Sequence, residues 1–290
     1  MTARRHSIEI PPELSSRAPS VPSPSTDVTT SQAYAPFDHQ IAGHAGQIFG
    51  LAGGLLAKVC PQKEVDFYKA VFASDREDLV EFRKSVPQFA GSGDLAADAS
   101  LNGEAVGNPT VHLENLLAPY THPSVADIKI GTRLYGDEAD EAKKARMEEQ
   151  ARTTTSGKTG LRICGMKVYD PYTSNYLTHD RKYGRSLSAE EIHLGIRTFF
   201  TIPSSATLVP TATLTALREK LTILLHRLET ARVRLYGASI LLIYEGSDVD
   251  ARIIDFAHSH VESEQAGPDE GAVFGVRNLL QSIEKLLQME

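Results

Sequence analysis

Three short segments of this chain place charged side chains where an apolar strand would hold them still. Pro123-Ser-Val-Ala-Asp127-Ile-Lys129-Ile-Gly131 sets a carboxylate and an ammonium two residues apart. On a strand both project from one face together with Val125, while Ala126, Ile128 and Ile130 turn to the other face and into a core. Side by side, the two charges form either a solvated ion pair or a division of labour, Asp127 accepting from a ribose hydroxyl and Lys129 holding an anionic group. Gly131 lets the backbone bend or be approached closely at the strand end. In Ile253-Ile-Asp255-Phe-Ala-His258 a carboxylate follows an apolar strand. There one oxygen can hold Mg²⁺ while waters and phosphate oxygens complete its shell, although an Asp at that place serves equally well in a turn or as a helix N-cap. Lys58, in LLAKVC, ends another apolar strand, and Glu64 opens the helix that follows. A strand lysine oriented by a helix glutamate can hold nucleotide phosphates; the commoner habit of an edge-strand lysine is to face water.

Basic residues gather between these points. The string 143–152 reads KKARMEEQAR and carries Lys143, Lys144, Arg146 and Arg152 directly after the acidic stretch 137–141, and Arg181, Lys182 and Arg185 stand on the later loop HDRKYGRS. Such segregation usually marks a solvated helix face with i,i+4 pairs; here the helix directly follows the Asp127/Lys129 strand. Other motifs fail on spacing. Ser156-Gly-Lys158-Thr lacks the first glycine of a phosphate-binding loop, since position 152 is Arg. The ten histidines form no HExxH or His/Cys cluster for zinc, and Gly50-Leu-Ala-Gly-Gly does not have dinucleotide-fingerprint spacing.

The elements that must position these groups follow from composition and period. A chain of 290 residues with 41% hydrophobic residues can bury a real core. Its 30 basic against 37 acidic side chains, a net charge of −7, argue against a general grip on nucleic acid, so an anionic ligand needs a local basic cluster. Two cysteines fit a reducing compartment, and no apolar run reaches the length of a membrane span, so the chain reads as a soluble intracellular protein. Residues 1–36 hold 17 Pro, Ser and Thr and read as a disordered tail. A glycine-punctuated hairpin ends in a strand over 55–60, and helices are expected over 62–72 and 75–84, the second opening on a Ser74/Glu77 capping box. A glycine-rich loop covers 91–108, a strand 110–117, and a proline-bounded connector 118–123. Beyond it come a strand over 125–131, a helix over 140–153, a strand pair over 161–169 and 174–178, and a helix ending near Phe200 behind a Ser188/Glu191 box. Leu214, Leu217, Leu221, Leu224, Leu225 and Leu228 stack on one helical face. Strands over 239–245 and 252–256, parted by a turn at 246–250, precede a closing helix over 273–288. This order suggests a small α+β lobe, a larger one, and a cleft between them.

Pro123-x-x-x-Asp127-x-Lys129-x-Gly131, followed in order by Ser239-Ile-Leu-Leu and Ile254-Asp255-Phe256, resembles the signature set of the inositol polyphosphate kinase family. Gly160-Leu-Arg-Ile-Cys-Gly-Met and Tyr183-Gly-Arg-Ser-Leu match that family's connecting segments, and the likeness runs from about residue 42 to the C-terminus. The resemblance implies an α+β, two-lobed, protein-kinase-like fold. Residues 1–36 would be a tail, 37–117 a small ATP-binding N-lobe, and 118–290 a larger C-lobe that is catalytic and binds inositol phosphate, with the ATP site between the lobes. It implies that Lys58 binds ATP phosphates and Glu64 orients it, and that Glu114 and Leu116 in HLENLL hold the adenine edge. Asp127 binds the ribose, Ser239 assists at the metal–phosphate site, and Asp255 holds Mg²⁺. Lys129 meets the reacting inositol phosphate and the transferred phosphoryl, and His258 contacts the substrate. Lys143, Lys144, Arg146, Arg152, Arg181 and Lys182 would form the substrate basin. About 21 residues separate Gly131 from Thr153, a short substrate element and hence an open site, which favours a multikinase acting on inositol tris- and tetrakisphosphates. ARTTTSGKTGLRICGMKVYD resembles fungal-type multikinases, whereas GTRLYGDEADEAKKARM resembles the hexakisphosphate kinases, which keeps a pyrophosphate-forming enzyme as the alternative. A non-catalytic interaction protein with nuclear partners is the reading from another class. The family further implies a monomer residing in the nucleus or cytoplasm, using ATP and Mg²⁺.

Overall fold

The computed structural model describes residues 46–95 and 107–289 together with the backbone of 35–36. The tail expected over 1–36 lies outside the described residues, except that Ala35–Pro36 forms a short strand, β1. From there the chain lays down β2 (Ile48–Leu51) and β3 (Leu55–Val59), joined by a tight turn as the glycine pattern predicts. Helices α1 (Gln62–Ala73) and α2 (Glu77–Phe82) follow, then β4 (Phe89–Asp94) and β5 (Pro109–Glu114). These strands make an antiparallel sheet in the order β1-β2-β3-β5-β4.

Two expectations fail in this region. Helix α2 does not open on a Ser74 box: Arg76 is its N-cap, and Ser74 Oγ accepts only from Arg76 N, at 3.2 Å. Asp78 explains the later start, since it takes two bonds from the Arg76 guanidinium and one from Arg232 N, fixing the first turn from outside. The loop expected from 91 is strand as far as Asp94, because Gly91 and Gly93 pair with His112 and Thr110 past a bulge at Phe89/Gly91. Ladder bonds come from the backbone, so a strand almost without apolar side chains leaves no periodic trace. Residues 96–106 of that loop lie outside the described residues.

The second sheet begins with β6 (Ser124–Ile130) after the connector. Next come α3 (Glu141–Thr153), capped by Asp140, then α4 (Thr155–Thr159), β7 (Leu161–Asp170), β8 (Asn175–His179), α5 (Arg181–Ser186) and α6 (Ile192–Phe199). The chain ends through α7 (Thr211–Thr230), β9 (Val233–Leu235), β10 (Ser239–Glu245), β11 (Asp248–Ile254), β12 (Ser259–Val261) and α8 (Glu270–Leu287). The sheet order is β11-β10-β6-β7-β8, all antiparallel, with β12 pairing β9 apart. Strand β11 starts earlier than the sequence suggests, so its hairpin with β10 turns on Gly246 and Ser247 alone. The stretch 181–186, read as loop, is helical: Asp180 caps it by accepting from Lys182 N at 2.8 Å, and Gly184 lets it press on the sheet. A Cβ at Gly184 would sit 1.8 Å from the Ile163 carbonyl oxygen.

Leu214, Leu217, Leu221, Leu224 and Leu228 of α7 are buried in the main core as their spacing predicts; Leu225 is only partly covered. That core also takes Ala126, Ile128 and Ile130 from one face of β6, and it continues into the N-terminal sheet region through Phe67 and Tyr68 of α1. Their rings lie 4.6 and 5.2 Å from that of Phe256. The described residues accordingly fall within one compact unit. The two sheets stand on either side of a cavity, while α1 ties them together.

Candidate active site

A cavity of about 680 Å³ opens between β3 and β5 on one side and β6, β10 and β11 on the other. Of the residues singled out from the sequence, Lys58, Glu64, Glu114, Leu116, Asp127, Lys129, Asp255 and His258 all line it. They come from segments far apart in the chain, Lys58 and Asp255 being 197 positions apart, joined because β6 lies beside β10, and β10 beside β11.

At its centre Lys58 Nζ donates to Glu64 Oε1 at 2.7 Å and to Asp255 Oδ1 at 2.6 Å. Glu64 is almost wholly buried and also accepts from the amide of Phe256 at 3.2 Å, so it fixes Lys58 and the chain beyond β11 at once. Burial disfavours the Lys58 charge, but Asp255 and Glu64 outweigh it and hold its pKa well above the ordinary value. Asp255 itself has φ 67, a left-handed backbone that Asp tolerates better than most side chains; the sharp bend turns its carboxylate out of the strand line. Burial opposes its ionisation too, and Lys58 and Lys129 overcome that to keep its pKa below the ordinary carboxylate value.

Asp127 and Lys129 share the cavity face of β6, as alternation requires, with Ile128 turned into the core. Lys129 Nζ donates to the Gly237 carbonyl. Asp127 is buried, and burial together with the nearby Asp255 carboxylate raises its pKa to about 6 against the opposing pull of Lys129, the Ser239 hydroxyl and Lys58. Neither Asp127 Oδ1 nor Ser239 Oγ has a partner in good hydrogen-bond geometry. Ser239 is wholly buried opposite Lys129 on β10, behind the cavity lining rather than in it. Cys60, also in the lining, is chemically quiet at neutral pH: burial, helped by Glu64, pushes its thiol to about 12.

The far wall is apolar, with Ile48, Leu56, Leu113, Leu116, Leu117, Leu241 and Ile254. The connector runs along it. Glu114 N and Asn115 N are taken by Gln88 O and Gly54 O, while the Leu116 amide has no protein partner among the described residues. The Glu114 side chain turns aside to accept from Gln88 N at 3.2 Å.

The basic cluster is brought together only in part. Lys143 Nζ reaches His258 Nε2 at 3.4 Å, at the cavity edge, and Arg146 lies one turn further along the same face of α3. Lys144 is drawn off by Glu141, and Arg152 donates two bonds to Glu149 on the opposite, exposed side. Arg181 and Lys182 are exposed on α5, which packs on the Ile163 side of the sheet, away from Lys129. Arg162 escaped the sequence reading. Register places it beside Lys129, buried, with Nε unpartnered. Its terminal nitrogens lie 2.8 and 3.1 Å from the Gln150 side-chain oxygen of α3, with that amide oriented to accept. An arginine alternating with the apolar residues of LRICG was the available signal.

Among the described residues no three His, Cys, Asp or Glu converge to hold a metal ion. A divalent cation would therefore rest on Asp255, with room at the orphaned Asp127 oxygen. That donor set suits Mg²⁺, which takes one or two carboxylates and fills its shell with phosphate oxygens and water. Two ammoniums against four carboxylates, Glu64, Glu114, Asp127 and Asp255, leave the cavity lining negative, so a bare polyphosphate is disfavoured and a metal-complexed one is matched.

A family model described as inositol polyphosphate kinase matches residues 110–284. The inositol polyphosphate multikinase of Schizosaccharomyces pombe is 29% identical over 275 residues, covering 88% of this chain and 98% of that protein. Human inositol hexakisphosphate kinase 3 is 32% identical over 220 residues, 61% of this chain and 51% of that protein, so the chain spans about half the length of the hexakisphosphate kinases it matches. Among solved structures, the S. cerevisiae inositol phosphate multikinase in complex with ADP and Mn²⁺ superposes with a TM-score of 0.67 at 27% identity, covering 81% of this chain and all of that one.

Proposed function

Since the chain belongs to the inositol polyphosphate kinase family, we propose that it is an ATP-dependent multikinase converting inositol tris- and tetrakisphosphates to tetrakis- and pentakisphosphates. The observation that carries the reading is the junction of Lys58, Glu64 and Asp255 beside Asp127 and Lys129 in one cavity with an apolar wall.

Adenine fits between the leucines, its edge within reach of the free Leu116 amide. Asp127, ionised above about pH 6, accepts from the ribose. Lys58, held on two sides by carboxylates, presents its remaining proton to the phosphates. Lys129 is anchored at Gly237 and aims an ammonium at the transferring phosphoryl and the incoming hydroxyl. Mg²⁺, when bound at Asp255, supplies neutralisation of charge on the phosphate oxygens. Phosphoryl transfer needs little else, because positioning and electrostatics do most of the work. His258, Lys143 and Arg146 open the anion basin at the cavity edge.

Coverage of nearly the whole S. pombe multikinase favours the multikinase activity; the higher identity to the human hexakisphosphate kinase keeps pyrophosphate formation as the second reading. Incubation with Mg·ATP and inositol 1,4,5-trisphosphate, with products resolved by charge, tests the proposal. Absence of tetrakis- and pentakisphosphate would refute it, and conversion of hexakisphosphate alone would select the second reading. Residence in the nucleus or cytoplasm and action as a monomer belong to the same proposal, tested by a fluorescent fusion and by sedimentation.

A further inference from the structure

The acidic stretch before α3 has no part in the reaction as drawn, yet one of its members stands among the cations at the cavity edge. Glu138, on the turn between β6 and α3, accepts from Lys63 Nζ of α1 at 2.6 Å, and its other oxygen lies 3.3 Å from His258 Nδ1. His258 Nε2 in turn faces Lys143 Nζ at 3.4 Å. An ammonium offers no lone pair, so Nε2 must accept, and the ring proton sits on Nδ1, donating to Glu138. One carboxylate thus links two lysines and a neutral histidine drawn from α1, α3 and the chain after β11. Glu138 is ionised throughout the neutral range, and the hydrogen bond from Lys63 pushes its carboxyl further down, to about 2.

An anion in that position has coordination that a substrate phosphate would seek: donation from the Lys63 ammonium and the His258 ring N–H, with the Lys143 ammonium just behind the ring, at the lip of the cavity that His258 lines. We propose that Glu138 is an internal competitor for a substrate phosphate, occupying the Lys63–His258–Lys143 cluster and so setting how many phosphates the basin prefers. The inference rests on the inositol polyphosphate kinase reading and adds a specificity-determining residue to it. With Glu138 in place the cluster offers a single net positive charge, matched to sparsely phosphorylated inositols; without the carboxylate it offers two and should take denser ones.

The test is direct binding of inositol hexakisphosphate, by calorimetry on the full chain without nucleotide, at two ionic strengths. A doubly charged phosphate about 6 Å from the lost carboxylate gains roughly tenfold in affinity in a near-aqueous dielectric, and about threefold under physiological screening. Glu138→Gln should therefore bind the probe about three- to tenfold tighter than wild type, the gain shrinking with salt, and trisphosphate should gain less. Lys63→Met, which leaves Glu138 unopposed, should bind it more weakly. A merely structural latch would move both variants the same way. Unchanged or weaker binding by Glu138→Gln, with an unfolding transition like that of wild type, would overturn the inference. A wild-type chain that binds neither tris- nor hexakisphosphate would overturn the kinase reading and this inference with it.

Discussion

Replacing Glu64 by alanine removes the one carboxylate that holds both Lys58 and the backbone beyond β11. Its side chain is 1% exposed, so nothing from solvent replaces it. Cutting one partner from a buried ion pair costs about 3–5 kcal/mol when the other charge is stranded. Lys58 is not stranded, because Asp255 remains at 2.6 Å, which points to the lower end of that range. The amide of Phe256 also loses its acceptor, a penalty of about 1–3 kcal/mol for a buried donor, part of which water entering the vacated space would recover. A loss near 3 kcal/mol follows, and with roughly 2–4 °C of Tm per kcal/mol for a domain of this size the transition should fall by about 6–12 °C. Glu64→Gln keeps an acceptor for both donors and loses only the charge, so about half that shift is expected. Urea unfolding of the three proteins, with KM for ATP measured alongside, reads both consequences: stability falls in the order wild type, Gln, Ala, and KM rises in the same order. An alanine variant within about 0.5 kcal/mol of wild type, or a glutamine variant as damaged as alanine, would refute the bridging role.

Asp255→Asn should preserve the fold, because Asn also accepts a left-handed backbone, while lowering kcat by at least about a hundredfold through loss of the metal-ligand charge; near-normal kcat at saturating Mg²⁺ would contradict the assignment. Lys129→Ala should lose far more in kcat than in KM for ATP, and a change confined to ATP affinity would move Lys129 out of the transfer step. Asp78 is half-buried, and although burial opposes its charge, the Arg76 guanidinium and the Arg232 amide hold its carboxyl below the ordinary value. A lowered folded-state pKa means that the stabilisation is present above the unfolded value of about 3.9 and is lost as pH falls through the folded one. Asp78→Ala should cost about 1–3 kcal/mol at neutral pH, and the gap from wild type, followed by chemical unfolding, should close in acid; a gap independent of pH would count against the clamp. Neutralising Lys143 should raise KM for inositol trisphosphate several-fold, whereas neutralising Arg181 and Lys182 together should do so less; the reverse order would place the basin over α5.

Much of the chemistry is readable locally. The two-residue spacing of Asp127 and Lys129 sets both on one face of a strand whatever lies around it, and a carboxylate ending Ile253-Ile254 must stand at a strand exit. The leucine stripe of α7 announces its buried side through its 3.6-residue period, since covalent geometry alone puts those side chains in line. Chain composition likewise argues against a general basic surface, since a net charge of −7 leaves an anion to be met by a local cluster. What alternation cannot convey is which strands become neighbours. The meeting of Lys58 with Asp255 depends on the order β11-β10-β6 and on α1 packing across to Phe256, contacts secured by burial between segments nearly 200 residues apart. The placing of Arg162 beside Lys129 depends on a register, with a bulge at Asp127/Ile128, that no single strand contains. The same lack of local information left α5 read as a loop beside the expected basin, although it packs against Ile163, and hid β4, whose glycines bond through backbone alone. Glu138 is the clearest instance. In the sequence it is one acid among several before a basic helix; only the fold surrounds it with Lys63 and His258, because electrostatic partners are chosen by distance in space rather than along the chain.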